Sequence, residues 1–94
     1  MKIEFDPKKS KKNAKERGLP FERAAEFDWE DAIYAEDTRN PYPERRFVAL
    51  GFLGKRLHCA CFTQIPGGVR IISFRKANTR EIRHYEQAKE TTDE

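Results

Sequence analysis

The sequence predicts an α+β chain, a small antiparallel sheet with helices packed on it. Three observations predict it. Three apolar, strand-like segments lie between Arg45 and Lys76, with turns at Gly54-Lys55 and Pro66-Gly67-Gly68. Connections that short join antiparallel neighbours. A helix with readable ends lies on either side, one opening on Asp6-Pro7 and the other on Asn78. Hydrophobic and charged residues are equally frequent, 37% each of 94 residues. That suits one domain over residues 1–94, frayed from about residue 90, whose thin core is one sheet face under short helices.

Ile3 to Phe5 reads as a first strand. Asp6 is an N-cap and Pro7 fits the first helical position. The helix should run to Arg17 and stop at Gly18 in the left-handed conformation. It carries Lys8, Lys9, Lys11, Lys12, Lys15 and Arg17, with Ala14 as its apolar residue, so it has no apolar stripe to bury. Lysine stems, Phe5 and Leu19 are expected to hold it on the surface, and its unpaired charge suits RNA or an acidic partner. A second short helix spans Phe21 to Phe27, with Phe21, Ala24, Ala25 and Phe27 inward. Ala32 to Glu36 reads as a brief strand. Glu36 to Glu44 is a loop, punctuated by Asn40, Pro41 and Pro43.

The meander follows as Arg45–Leu53, Arg56–Thr63 and Val69–Lys76. Asn78 with Glu81 three residues on forms a capping box. The last helix should reach about Lys89, with Ile82 and Tyr85 inward, and Glu90 to Glu94 should fray.

Net charge is only +3, but residues 1–17 carry +4, residues 18–44 carry −6 and residues 45–94 carry +5. Basic ends around an acidic middle suggest a polyanion for one surface and a basic partner for another. No apolar run approaches the roughly 20 residues of a membrane span. The start, MKIEFDPKK, has no apolar signal core. Cys59 and Cys61 alternate along one strand face, which disfavours a disulfide between them, and two thiols are too few for structural zinc. Neither histidine has a ligand partner at short spacing. No metal site, cofactor or membrane association is therefore expected, and the cytoplasm is the expected location.

The cations concentrate in Val69–Tyr85, VRIISFRKANTREIRHY. On an ideal strand Arg70 and Lys76 face one way and Arg75 the other. Only a twist, a bulge or the strand's end would bring the two arginines together.

Three blocks resemble the BrnT toxins of bacterial type II toxin–antitoxin systems. They are Phe5-Asp6-Pro7 with Lys9, Asn13, Gly18, Phe21-Glu22 and Ala24-Ala25; Glu44-Arg45 with Phe47 and Gly51; and Arg70-Ile71-Ile72-Ser73 with Arg75-Lys76-Ala77, Arg80-Glu81 and Tyr85. The resemblance covers about Phe5 to Glu86. It implies a fold like the RelE-type ribonuclease toxins and an endoribonuclease that blocks translation. It also implies a BrnA-type ribbon-helix-helix antitoxin, through whose complex alone the chain would meet operator DNA. The chain departs from the family at Glu16-Arg17, where Lys-His is usual, at Phe74, where a small residue is usual, and at Pro20, where a polar cap is common. Arg17 stays protonated, so it can hold phosphate but cannot act as a base.

RNA cleavage without a metal needs a base for the 2′-hydroxyl, an acid for the leaving oxygen and cations for the phosphate. Arginine suits the last role through its two-pronged donor geometry. The expected catalytic set is Arg70, Arg75, Glu44 and Arg80, with Arg70 or Arg75 on the scissile phosphate. The expected RNA-binding set is Lys8, Lys9, Lys12, Arg17 and Lys76. Lys76 and Arg80 lie near a helix N-terminus, where backbone N–H groups also attract anions. No base stands out. Glu44 suits an ion pair with Arg45 or Arg46, His84 suits a helix surface, His58 a sheet position, and Tyr85 and Trp29 the packing. A non-catalytic RNA-binding or protein-interaction module is the alternative.

Overall fold

The computed structural model describes residues 1–92. In order these are β1 (Lys2–Phe5), α1 (Pro7–Arg17), a 3₁₀ helix (Phe21–Glu26), β2 (Ile33–Asp37), β3 (Arg46–Leu53), β4 (Arg56–Ile65), β5 (Gly68–Lys76) and α2 (Thr79–Thr92). α2 runs to Thr92, past the expected end at about Lys89; Asp93 and Glu94 of the tail expected to fray lie outside the described residues.

The strands form one sheet in the order β1-β5-β4-β3-β2. The meander is antiparallel as expected, and β2 adds antiparallel to β3. β1 pairs parallel to β5, with Ile3 opposite Val69 and Phe5 opposite Ile71. The sheet is therefore mixed rather than wholly antiparallel. The long path from β1 to β5 lets the first strand return to the far edge in the same direction, which a hairpin could not do.

Both faces are covered, not one. On the first, Phe21, Ala24, Phe27, Ala49, Ala60, Phe62, Ile71 and Phe74 form the larger core beneath α1 and the 3₁₀ helix. On the second, Leu50, Leu57, Cys59, Ala77 and Tyr85 form a smaller core under α2. Inward alternation in a sheet buried on both sides reads as a near-continuous apolar run, which is how Phe47 to Leu53 is built. The 3₁₀ helix explains one corrected expectation. With three residues per turn, Phe21, Ala24 and Phe27 align and all are buried, while Ala25 is exposed.

α1 begins and ends as its sequence dictates. The Asp6 carboxylate accepts from Lys8 N at 2.9 Å, and Gly18 closes the helix at φ 65°, where a residue with a Cβ is strained. Phe5 and Leu19 anchor its two flanks in the core as expected, and the helix itself is attached by polar bonds. Ser10 is buried, accepts the Phe21 backbone N–H at 2.9 Å and donates to Glu22 at 2.6 Å. The Asn13 amide donates to the carbonyls of Leu19 and Phe74 at 2.7 and 2.8 Å. These bonds satisfy backbone groups at the chain reversal, which a lysine stem cannot do.

One irregularity decides where charges go. Phe62 pairs with Ile71, and the preceding residue, Cys61, pairs with Ser73. Ile72 has no residue opposite it, which is a β-bulge. Counted through it, side-chain parity reverses.

Candidate functional site

The bulge sorts the cations of β5. Arg70 lies opposite Thr63 and Arg75 opposite Cys59. Thr63 and Cys59 are an even number of residues apart on β4, so both arginines share the α2 face. Lys76 lies opposite His58, on the α1 face. The ideal-strand expectation is thus reversed: Arg70 and Arg75 go together and Lys76 goes the other way.

On the α2 face each arginine already has a carboxylate. Arg75 makes a two-pronged contact with Glu81 at 2.8 and 2.9 Å. Glu81 also accepts from Asn78 N, and its own N–H donates to Asn78 Oδ1, both at 2.9 Å. The capping box and the strand's arginine are one network. The Arg75 guanidinium holds the Glu81 carboxyl below its ordinary pKa. Arg70 pairs with Glu4 at 3.4 Å, and Arg46 pairs with Glu44 at 3.4 Å while lying over the Tyr42 ring. Glu44 therefore takes the ion pair rather than approaching Arg70. Arg80 is exposed in the first turn of α2. Between these groups lies Cys61, its thiol pulled below the usual range by hydrogen bonds from Cys59 and Ser73 and by Arg75, while Cys59 is pushed up.

The α1 face carries a different arrangement. An open cavity of about 510 Å³ lies beyond the C-terminal end of α1. Arg17 from α1, Arg23 from the 3₁₀ helix, Arg56 from β4 and Lys76 from β5 line it, with His58 among them. Gly18, Leu19 and Leu53 complete the wall. Among the described residues no Asp or Glu lines it. Arg56 is fixed by a bond from Nη2 to the Ala77 carbonyl at 2.8 Å, and Arg23 pairs with Glu26 at 3.2 Å. Among the described residues Arg17 and Lys76 have no carboxylate partner. A helix C-terminus carries partial negative charge, so an anion here is held by side chains and not by helix amides.

His58 is 5% exposed. Its Nδ1 lies 2.8 Å from the Arg56 carbonyl oxygen. A carbonyl only accepts, so Nδ1 carries a proton, and when the ring is neutral its lone pair is on Nε2. Burial lowers the His58 pKa, and the charges of Arg56, Lys76 and Arg23 lower it further, against the opposing effect of the carbonyl bond. The ring packs 5.6 Å from that of Phe74. Gly51 stands opposite His58 on β3. A Cβ there would come within 2.8 Å of the Phe27 ring and 2.9 Å of Ala32, so the glycine is required for the 3₁₀ segment's exit to close over the sheet.

Of the expected RNA-binding residues, Arg17 and Lys76 are brought together in this cavity, while Lys8, Lys9 and Lys12 are exposed along α1. Arg23, Arg56 and His58 were not singled out for RNA. The alternation Arg56-Leu57-His58 was a visible signal, but only the bulge puts Lys76 beside it. Trp29 and Tyr85 pack as expected: Trp29 Nε1 donates to the Ala24 carbonyl at 2.9 Å, and Tyr85 is buried against Phe52. Among the described residues no group of three or more His, Cys, Asp or Glu comes together as a metal site, and no helix is long and apolar enough to cross a membrane.

A family model described as the ribonuclease toxin, BrnT, of a type II toxin–antitoxin system matches residues 5–81. The chain belongs to the BrnT family. It is thus a ribonuclease toxin of a type II system, and such a toxin has an antitoxin partner. No curated protein compared with the chain matches it. The span matched to BrnT includes every residue of the cationic cavity, from Arg17 to Lys76, and ends at Glu81, in the first turn of α2.

Proposed function

We propose that this BrnT toxin is a metal-independent endoribonuclease whose α1-face cavity holds the scissile phosphate. The observation that carries the reading is the convergence of Arg17, Arg23, Arg56 and Lys76 from four separate elements on one open cavity. Like charges are brought together at an electrostatic cost, which an anion offsets. Arg56 is pre-positioned by its carbonyl bond, and Arg17 and Lys76 are free to turn toward phosphate. Cations aimed where charge develops stabilise the pentacovalent transition state. The 2′-hydroxyl as nucleophile restricts cleavage to RNA. Lys8, Lys9 and Lys12, exposed along α1, extend the positive track for the flanking strand and add a salt-dependent contribution to affinity.

A second reading puts the phosphate on the α2 face, because the bulge sets Arg70 and Arg75 on one face of the sheet, with Glu44 and Arg80 as accessory groups. There the anion must displace Glu4 and Glu81 from their arginines. One assay separates the two. Purified protein is incubated with RNA in EDTA, wild type beside Arg17→Ala, Lys76→Ala, Arg70→Ala and Arg75→Ala. Loss of cleavage in the first pair supports the α1-face cavity, and loss confined to the second pair moves the site. RNA left intact by a growth-arresting preparation favours blockage by occupancy, and cleavage abolished by EDTA removes the metal-independent mechanism.

The partner in this reading is a BrnA-type ribbon-helix-helix antitoxin, with operator DNA reached only through the complex, and the setting is the cytoplasm. The acidic stretch from Glu22 to Glu44 supplies a surface for a basic antitoxin segment. Neutralising Asp28, Glu30 and Asp31 together should weaken the complex; unchanged affinity would move the interface elsewhere.

A further inference from the structure

We infer that His58 is the general base of the cleavage, taking the proton of the 2′-hydroxyl at Nε2. The inference rests on the α1-face reading of the cavity and adds the group that reading lacks.

Three features of the site single out His58. Its ring is held: the Nδ1 contact with the Arg56 carbonyl fixes both tautomer and orientation. Its free nitrogen is reachable. Nε2 has no hydrogen-bond partner among the described residues, and the ring lines the cavity. And the ring is kept neutral. Arg56 lies two residues away on the same strand, Lys76 is its cross-strand neighbour, Arg23 approaches from the 3₁₀ helix and Arg17 from the end of α1. Among the described residues no carboxylate lines the cavity to stabilise the imidazolium. A buried imidazole amid cations stays unprotonated at neutral pH, which is the form a base needs.

The step balances without a co-reactant. Nε2 accepts the 2′-hydroxyl proton, the 2′-oxygen–phosphorus bond forms, and the phosphorus–5′-oxygen bond breaks. The 5′-oxygen takes a proton from water, and the proton on His58 returns to solvent. The products are a 2′,3′-cyclic phosphate and a 5′-hydroxyl end. The surrounding cations stabilise the phosphorane dianion at the moment the base becomes charged.

The test uses the purified full chain with an RNA oligonucleotide and its uncleavable 2′-deoxy counterpart, in EDTA. His58→Ala and His58→Gln are compared with wild type and with His84→Gln, a variant at an exposed α2 position. Folding is checked by thermal melting. His58→Ala should bind the 2′-deoxy oligonucleotide within about threefold of wild type and cleave roughly 10²–10⁴-fold more slowly. Added imidazole should restore part of the rate, and His84→Gln should keep all of it. The wild-type rate should fall on the acid side, with a midpoint below the ordinary histidine value of about 6.5. Cleavage by a folded His58 variant within threefold of wild type overturns the inference, as does an unchanged acid limb in that variant. Should both variants fail to melt cooperatively, the wild-type profile decides, since a rate flat from about pH 7 to 5 in folded protein overturns it. Failure of the underlying reading looks different: Arg17→Ala and Lys76→Ala would leave both binding and cleavage unchanged.

Discussion

The two faces of the sheet both carry clustered cations, and they use them in opposite ways. On the α2 face Arg46, Arg70 and Arg75 each have a carboxylate within 3.4 Å. Arg75 binds the same Glu81 that caps α2, so its charge fastens a helix to a strand. On the α1 face Arg17 and Lys76 have no such partner among the described residues, and with Arg23 and Arg56 they surround a buried histidine whose pKa is lowered. An arginine already satisfied by a carboxylate must surrender that bond to hold a phosphate. An unpaired cation beside a cavity gives up only water. Charge density alone does not mark a nucleic-acid site; the state of its partners does.

The largest expected effect breaks this contrast directly. The double variant Arg17→Ala with Lys76→Ala should lose at least about 10²-fold in RNA cleavage rate, the scale of removing one or two transition-state donors. Arg70→Ala should stay within about twofold, because its partner Glu4 is an exposed pair with little energetic weight. The reverse ranking in a single-turnover assay would assign catalysis to the α2 face.

Next in size are losses of stability. Ser10→Ala leaves the buried Phe21 N–H without its acceptor and should cost about 1–3 kcal/mol in urea unfolding. Arg75→Ala removes the two-pronged Glu81 contact. With both side chains still partly exposed, at 34% and 21%, about 1–2 kcal/mol is expected. A cleavage loss in folded Arg75→Ala would show that the contact does more than hold α2.

The pH dependence of stability separates the faces again. The folded-state pKa of His58 lies below its unfolded value of 6.5. The unfolded chain therefore binds the proton first as pH falls, so stability from the α1 face is full above pH 6.5 and declines below it, down to the lowered pKa. Glu81 is likewise lowered from 4.5, and its contribution persists until pH falls below that value. Melting temperature should drop in two stages, and His58→Gln should remove the upper one.

The smallest effect concerns the flanking track. Neutralising Lys8, Lys9 and Lys12 together should reduce the slope of log affinity for single-stranded RNA against log salt by about 2. It should leave the rate at saturating RNA unchanged.

Much of the chain was legible before its structure. Asp6-Pro7 and Gly18 set both ends of α1 without help from neighbours. Asn78 and Glu81 set the start of α2, and the glycine turns set the meander. Each of these is a contact within a few residues, which local sequence can specify. The parallel return of β1 was not legible, because its partner is more than sixty residues away. Nor was the polar docking of α1, since Ser10 and Asn13 reach Glu22, Phe21 and Phe74 only after the chain reverses. A single core face was expected from the modest apolar content, but Leu50, Leu57 and Cys59, alternating with the residues of the first core, give α2 a second one.

By itself the sequence determined the elements, their caps and the family, because these depend on neighbouring residues and on motif order. It also placed the cations along the chain. Which of them meet was decided by the tertiary structure, through one residue in β5 with nothing opposite it. Ile72 has ordinary strand chemistry, and no local signal separates it from Ile71. Whether it pairs or bulges depends on how two strands with different edge contacts accommodate each other's twist and packing. That choice reverses side-chain parity, sends Arg75 to Glu81, and sets Lys76 beside His58.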